Sequence, residues 1–416
     1  MKEYVSRPLK KSYDLGKYAP LYRSAIISLI KNARAGDRDL QPTVLDFGAV
    51  RFGIARHFGF CKGVENAIEM AYEALLRNQN KRVFMVSELI HNPYVNEDLL
   101  ARGLRFIKTS KGKQLIDWDE IQPDDVVVIP AFGATVQDKQ ILTAKGIEVK
   151  QWDAMCRFVE HVWFRSEELG KKGYSIIIHG KFNHEETQAT FSYSQQFAPT
   201  VVVKDMAEAK LLGEFILGEG AKTAFYDTFG KVCSQGFDFD KALEKVAVVN
   251  QTTMLASETA EIANYFREIM IQKYGNENPE NHVANTKDTL CYATKNNQTA
   301  TIELLREEAD LAIVIGGRNS SNTTHLVELC QEKLPTYFIQ SEQDILSATE
   351  LLHYDFEQKT EHLITHYLPT KATPNILLTS GASCPDTLVE KVLTKLLSFF
   401  DGTRTIEEVV KDFSGE

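Results

Sequence analysis

From about Val50 onward, short runs of β-branched and apolar residues alternate with stretches whose apolar positions recur every three or four residues. Eight runs stand out, at residues 83–86, 126–130, 175–179, 200–203, 246–250, 311–315, 336–339 and 376–379. Short runs that are apolar throughout are what strands buried on both faces require. The amphipathic stretches between them supply the crossovers that parallel pairing needs. The pattern predicts an α/β protein. Ahead of these runs, a basic lead carries helix-like apolar spacing from Tyr22 to Ala33. The polar segment 275–282, with Pro279, reads as an inter-domain linker, and residues 399–416 as an acidic, weakly attached tail.

A faint repeat punctuates this pattern. Cys61, Cys156 and Cys291 each stand where an extended segment gives way to a helical one. After Cys61, the residues Val64, Ile68, Ala71 and Leu75 share one helical face. Val159, Val162 and Trp163 follow Cys156, and a helix reaching Ile302 and Leu305 follows Cys291. A cysteine at a helix N-terminus has its thiolate favoured by the macrodipole, as a metal ligand requires. Any one of them alone reads better as a buried core cysteine, and only three in the same context bring a metal site level with that reading. If three similar strand–helix units surround one axis, the thiolates converge, and a three-thiolate site leaves one iron of a 4Fe–4S cluster open to a substrate oxygen. Cys233, Cys330 and Cys384 carry no such context and read as structural.

Composition narrows the class. The 416 residues are 43% hydrophobic and 25% charged, ordinary for a globular protein, and long enough for two or three domains. A formal charge of −10 argues against nucleic-acid or anionic-membrane partners, so any anion must be held in a local pocket. No apolar run approaches the ~20 residues that span a bilayer. The start lacks the layout of a secretory signal, and six cysteines do not make a disulfide scaffold. A reducing compartment follows: cytoplasmic, or the plastid stroma if the source is a plant or alga.

Several loops offer anion and proton chemistry. Gly316-Gly317-Arg318-Asn319-Ser320-Ser321-Asn322 and Ser380-Gly381-Ala382-Ser383, before Pro385, each follow a strand and open a helix. Free N–H groups and hydroxyls there can surround phosphate oxygens, although ordinary N-capping by Ser and Asn explains either loop alone. Ile90-His91-Asn92-Pro93 and the segment from His179 to Thr187 place histidines after strands. His184, two residues before Glu186, joins an anion-binding group to a proton donor. Gln251-Thr252-Thr253 adds hydroxyls that can orient such an acid. Zinc reads more weakly, with neither H-E-x-x-H nor C-x-x-C present.

Taken in order, Gly59-Phe60-Cys61-x-Gly63-Val64, Ile90-His91-Asn92, Asp153-x-x-Cys156, His184-x-Glu186, Gln251-Thr252-Thr253, Asp288-x-x-Cys291-x-Ala293-Thr294, Asn319-Ser320-Ser321-Asn322 and Gly381-Ala382-Ser383-x-Pro385-Asp386 resemble the 4-hydroxy-3-methylbut-2-enyl diphosphate reductases, the IspH (LytB) family. The match runs from about residue 50 to 395. Pro130-Ala131-Phe132-Gly133 and the long lead look more like the plant and cyanobacterial branch.

The resemblance implies three similar α/β domains with small, mainly parallel sheets, pseudo-threefold around a central iron–sulfur site. Their expected bounds are 46–152, 153–286 and 287–398, with 1–45 an N-terminal extension and 399–416 a C-terminal tail. It implies one 4Fe–4S cluster on Cys61, Cys156 and Cys291. It further implies an allylic diphosphate substrate bound by His91, His184, Ser320, Asn322 and Ser383, with Ser321 lining the pocket. Glu186 relays protons, assisted by Thr252. The implied reaction consumes two electrons, from a ferredoxin or flavodoxin-type donor, and two protons. It releases water and gives isopentenyl and dimethylallyl diphosphates. Either a dimer contact, making a homodimer, or a flap over the domains is open to residues 1–45.

The chain departs from the family at Phe132, where many relatives have His, and at Met155 and Arg157, where Thr-Cys-Pro is general. Cys384 beside Ser383 is also atypical. Changes beside a cluster ligand shift a reduction potential through hydrogen bonding and charge. Two other readings compete. A cluster-dependent dehydratase of the quinolinate synthase kind also uses three cysteines, but the Asn-Ser-Ser-Asn and His-x-Glu motifs argue against it. A diphosphate-responsive iron–sulfur sensor that lost catalysis through Met155 and Arg157 is opposed by the retained Glu186.

Overall fold

Three sheets of three to five strands carry the fold in a computed structural model that describes residues 19–32, 40–286, 289 and 291–414. The first is parallel, in the order Leu104–Phe106, Val83–Met85, Val126–Val128. The second, also parallel, runs Thr200–Val203, Ser175–His179, Val246–Asn250. Every residue of the central strands Val83–Met85 and Ser175–His179 is buried, which is why these runs show no polar alternation. The third sheet is mixed, in the order Thr43–Asp46, Arg51–Ile54, Asn375–Ser380, Leu311–Ile315, Thr336–Ile339, and only its first pair is antiparallel. The α/β class expected from the sequence is therefore observed.

The third sheet corrects the expected first-domain boundary. Residues 46–54 were expected to open the unit 46–152, yet Arg51–Ile54 pairs in parallel with 375–378 of the last unit. A glycine inside a strand reads as a breaker, but Gly53 is required here. A Cβ on it would lie 2.8 Å from a Leu377 side-chain carbon and 3.2 Å from one of Leu304. The antiparallel hairpin Glu350–Asp355 and Thr360–Thr365 also departs from the parallel pattern; its strands are largely solvent-facing.

The first and last helical segments of the described residues are bound into this core. Helix Ala25–Asn32 buries Ile27 and Ile30 among Val389, Val392 and Leu396 of helix Asp386–Leu397. Helix Ile406–Ser414 sinks Val409 and Val410 into the same cluster, so the described part of the region expected as a weakly attached tail, residues 399–414, is docked on the core. Its outward acidic residues mask one narrow apolar face. From the lead, the Tyr22 hydroxyl lies 2.6 Å from that of Tyr72 and donates to Asp98 at 2.8 Å. Lys31 pairs with Asp386 at 2.7 Å. The segment thus straps the first sheet's unit to the third sheet's unit. Residues 275–282, expected as an inter-domain linker, instead return the chain to the second sheet, where Val283 bridges Val246.

In all three sheets the candidate loops leave the carboxyl ends of parallel strands, the usual binding edge of such sheets. Those ends meet pairwise. His91 of the first unit faces His184 of the second, Gln251 of the second donates to Ser321 of the third, and Ser383 of the third donates to the His91 carbonyl.

Candidate functional site

Cys61, Cys156 and Cys291 are the N-cap residues of helices Lys62–Arg77, Arg157–Lys171 and Tyr292–Leu304, each with extended backbone. The free N–H groups of each first turn therefore point at a sulfur. Gly63 and Val64 serve Cys61, Phe158 and Val159 serve Cys156, and Ala293 and Thr294 serve Cys291, with the Thr294 hydroxyl in addition. A Cβ on Gly63 would lie 2.6 Å from the Cys156 sulfur and 3.8 Å from that of Cys61, so these two thiols face one another across a glycine. Cys291 lies within electrostatic reach of both. Burial pushes the Cys61 thiol up to about 11 and the Cys156 thiol up to about 12, and raises Cys291, while the helix amides oppose it.

Among the described residues, no group of three or more His, Cys, Asp or Glu side chains forms a cage for a single metal ion. Such a cage needs donors at roughly 2–2.3 Å from one point. Three amide-supported thiols, Cys291 buried and Cys61 and Cys156 half-buried, suit a multi-atom iron–sulfur body, which spreads its thiolates around itself. Asp288, expected in the third cysteine motif, lies outside the described residues. Arg157 takes the first helical position after Cys156, and Met155 packs with Cys156 beside Trp163.

The histidines and hydroxyls gather at the same end of the sheets. His91 Nε2 and His184 Nε2 are 3.0 Å apart. Phe132 stacks on His91 at 4.4 Å with ring planes 22° apart, and meets His184 edge-on at 5.5 Å. Burial lowers His91 to about 4 and His184 well below its ordinary value, so both rings are neutral near pH 7. Ser320 caps helix Ser321–Gln331, accepting from the Thr323 N–H at 3.3 Å and its hydroxyl at 3.0 Å. Ser383 reaches Ser320 Oγ at 3.5 Å and the His91 carbonyl at 3.3 Å. Both polar side-chain atoms of Asn322, and Nδ1 of His91, are buried without a partner among the described residues. Orphaned donors and acceptors are costly unless a polar ligand satisfies them.

Close backbone approach brings these loops together. A Cβ on Gly317 would lie 2.0 Å from the His91 carbonyl oxygen, and one on Gly381 2.0 Å from Thr323 Oγ1. Gln251 is a hub that residue type alone did not reveal. Its Oε1 accepts from the Lys181 N–H at 3.0 Å and the Thr187 hydroxyl at 2.9 Å, while its Nε2 donates to Thr253 at 2.6 Å and Ser321 at 3.2 Å. Thr323 is the other residue missed; a threonine three positions after a capping serine was the available signal.

Glu186 lies in the first turn of helix Glu185–Ser194, behind the N-cap His184, whose Nδ1 accepts the Glu186 N–H at 3.2 Å. Its carboxyl accepts the Thr252 N–H on one oxygen and the Thr252 hydroxyl at 3.0 Å on the other. Burial nevertheless pushes Glu186 up to about 7, and its charge reaches Cys291. A carboxyl poised there exchanges a proton near neutrality, beside the thiols on one side and the histidines on the other.

Comparison with known proteins agrees in extent with this site. A family model described as LytB protein matches residues 53–397. The 4-hydroxy-3-methylbut-2-enyl diphosphate reductase of Prochlorococcus marinus (strain MIT 9301) is 41% identical over 352 residues, covering 84% of this chain and 86% of its own length. That of Thermosynechococcus vestitus (strain NIES-2133 / IAM M-273 / BP-1) is 40% identical over 372 residues, 89% of each chain. In fold, the chain is similar to the E-1-hydroxy-2-methyl-but-2-enyl-4-diphosphate reductase from Plasmodium falciparum, with a TM-score of 0.59 and 23% identity over 85% of this chain and 96% of that one.

Proposed function

This chain belongs to the LytB family of 4-hydroxy-3-methylbut-2-enyl diphosphate reductases, and on that premise we propose how its own residues carry the reaction. The enzyme reduces (E)-4-hydroxy-3-methylbut-2-enyl diphosphate to isopentenyl and dimethylallyl diphosphates, the last step of the non-mevalonate route to isoprenoids. Two electrons and two protons enter, and the allylic hydroxyl leaves as water.

Cys61, Cys156 and Cys291 are the residues that would hold a 4Fe–4S cluster. When bound, the cluster supplies the electrons and, at an iron without a protein ligand, a Lewis-acid site for the hydroxyl. The helix amides around each sulfur lower the cost of the thiolate charge. His91, His184, Ser320, Asn322 and Ser383 bind the diphosphate, and Ser321 lines the pocket. Neutral imidazoles, hydroxyls and helix N-termini hold these negative charges without burying many cations beside the thiolates. Glu186 delivers a proton toward the departing hydroxyl, and Thr252 fixes both its oxygens so that the proton sits in one place.

The observation that carries this reading is the placement of Glu186, which is 1% exposed, anchored twice by Thr252, and set within electrostatic reach of Cys291 next to His184. A ferredoxin or flavodoxin-type donor and a reducing compartment, the cytoplasm or plastid stroma, complete the proposal; no helix among the described residues is long and apolar enough to cross a membrane. The test is an anaerobic assay of the cluster-reconstituted chain with a low-potential donor. Recovery of both five-carbon diphosphates supports it. A fully loaded cluster without turnover sinks it.

A further inference from the structure

The two histidine loops are tied at a second point, outside the histidine pair. Ser87 lies on the loop between strand Val83–Met85 and helix Pro93–Ala101, a few residues before His91. Its hydroxyl donates a short hydrogen bond to Oε2 of Glu185, the first residue of helix Glu185–Ser194 and the neighbour of the N-cap His184. The first and second units are thus joined twice through the same two loops, once by His91 and His184 and once by Ser87 and Glu185.

Glu185 is not an ordinary acid at a helix N-terminus. Such residues usually face water, where their charge offsets the helix dipole at little cost. Here Oε1 is shut off from solvent with no partner among the described residues, and Ser87 itself is buried. Burial pushes Glu185 up to about 8, the nearby Glu88 carboxylate adds to this, and the Ser87 bond opposes it. Adjacent side chains on one turn have also been divided between neighbours: Glu186 turns to Thr252, Glu185 to Ser87. The reaction derived above uses only Glu186. A buried carboxyl with one unmet oxygen is retained at a cost, and its single bond is a bond between units.

We propose that Glu185 is a positioning residue: with Ser87 it latches the first unit's histidine loop to the second unit's, and so holds His91 and His184 at the spacing that receives the substrate's diphosphate. The latch itself rests on the inter-unit geometry; only the identity of the ligand rests on the proposed function.

Hydrogen exchange tests the latch directly on the whole chain, in Ser87→Ala, Glu185→Ala, the double variant and Glu185→Gln. Removing either partner deletes the same tie, so amide exchange across residues 87–92 should quicken by roughly 10-fold in each alanine variant and no further in the double one. Glutamine keeps a carbonyl for the Ser87 hydroxyl and should stay within about 2-fold of the parent. Calorimetric titration with inorganic pyrophosphate should follow suit, with Kd up by about 10-fold in the alanine variants and restored by Glu185→Gln. Unchanged exchange in Glu185→Ala, or additive effects in the double variant, overturns the proposal. A parent chain that binds no pyrophosphate sinks the diphosphate reading, and the exchange pattern still decides the latch.

Discussion

Single side chains at this site are set by what encloses them more than by their own type. Glu186 has the ordinary carboxylate's chemistry until burial moves it to about 7, where it can hold a proton and give it up. Glu186→Gln preserves the shape and one acceptor for Thr252 but has no proton to transfer. Its anaerobic kcat should fall by about 10²–10⁴ while pyrophosphate affinity changes little. If turnover stays near normal, the proton-delivery role is wrong. On the proposed role the acid form does the work, so parent turnover should decline as pH rises through about 7, a limb that the glutamine variant lacks. Gly63 makes the second residue-scale prediction. A methyl there would stand 2.6 Å from the Cys156 sulfur, so Gly63→Ala should lower iron and acid-labile sulfide per chain after reconstitution. Phe132, where many relatives of the family were expected to have His, packs as a ring stacked on His91.

At the scale of elements, the same local design recurs: a strand buried on both faces, a short loop, and a helix whose first turn presents its free amides. Strands such as Ser175–His179 and Leu311–Ile315 were legible because apolarity without alternation has few other meanings. The capping positions of Cys61 and Cys156 were legible because apolar helical spacing begins just after each one, and that of Cys291 because a helix reaching Ile302 and Leu305 follows it. Arg51–Ile54 was not, since Gly53 is favoured by the Leu377 and Leu304 side chains, far away in sequence. The terminal helices were underestimated because each has a single narrow apolar face. Ile30 is 3% exposed in the core, so Ile30→Ala should cost roughly 2–5 kcal/mol, read as a lower denaturant midpoint. An unchanged midpoint would mean that helix Ala25–Asn32 is not part of the folded core.

Across the whole molecule, buried titratable groups couple folding to pH. His91, lowered to about 4, and His184, lowered well below 6.5, leave the folded chain with fewer protons than the unfolded chain just below 6.5, so stability rises with pH there. Glu185 and Glu186 are raised from 4.5 to about 8 and about 7, so between those limits the folded chain binds more protons and stability falls with rising pH. The two trends oppose one another up to 6.5, and above it only the glutamates remain. Cluster-free protein should therefore have a nearly level melting temperature between about 4.5 and 6.5 and a declining one toward 8. Combining Glu185→Gln with Glu186→Gln should remove most of that decline; a decline of undiminished slope would refute the assignment. A formal charge of −10 places the rest of the surface at odds with an anionic ligand, which is why the pocket depends on converging loops.

What the sequence determined by itself is whatever near neighbours decide: the α/β class, most strands, the capping of helices, and the chemical kinds of residue each loop offers. Those follow from periodicity and steric rules that act over a few residues. Which loops meet was decided only by the tertiary structure. The His91–His184 contact, the Gln251 bridge to Ser321, the Ser87–Glu185 tie and the return of residues 43–54 to the last sheet all join segments far apart along the chain. The shifted acidity of Glu186 belongs to the same class, because desolvation depends on everything packed around a group and not on the residues beside it.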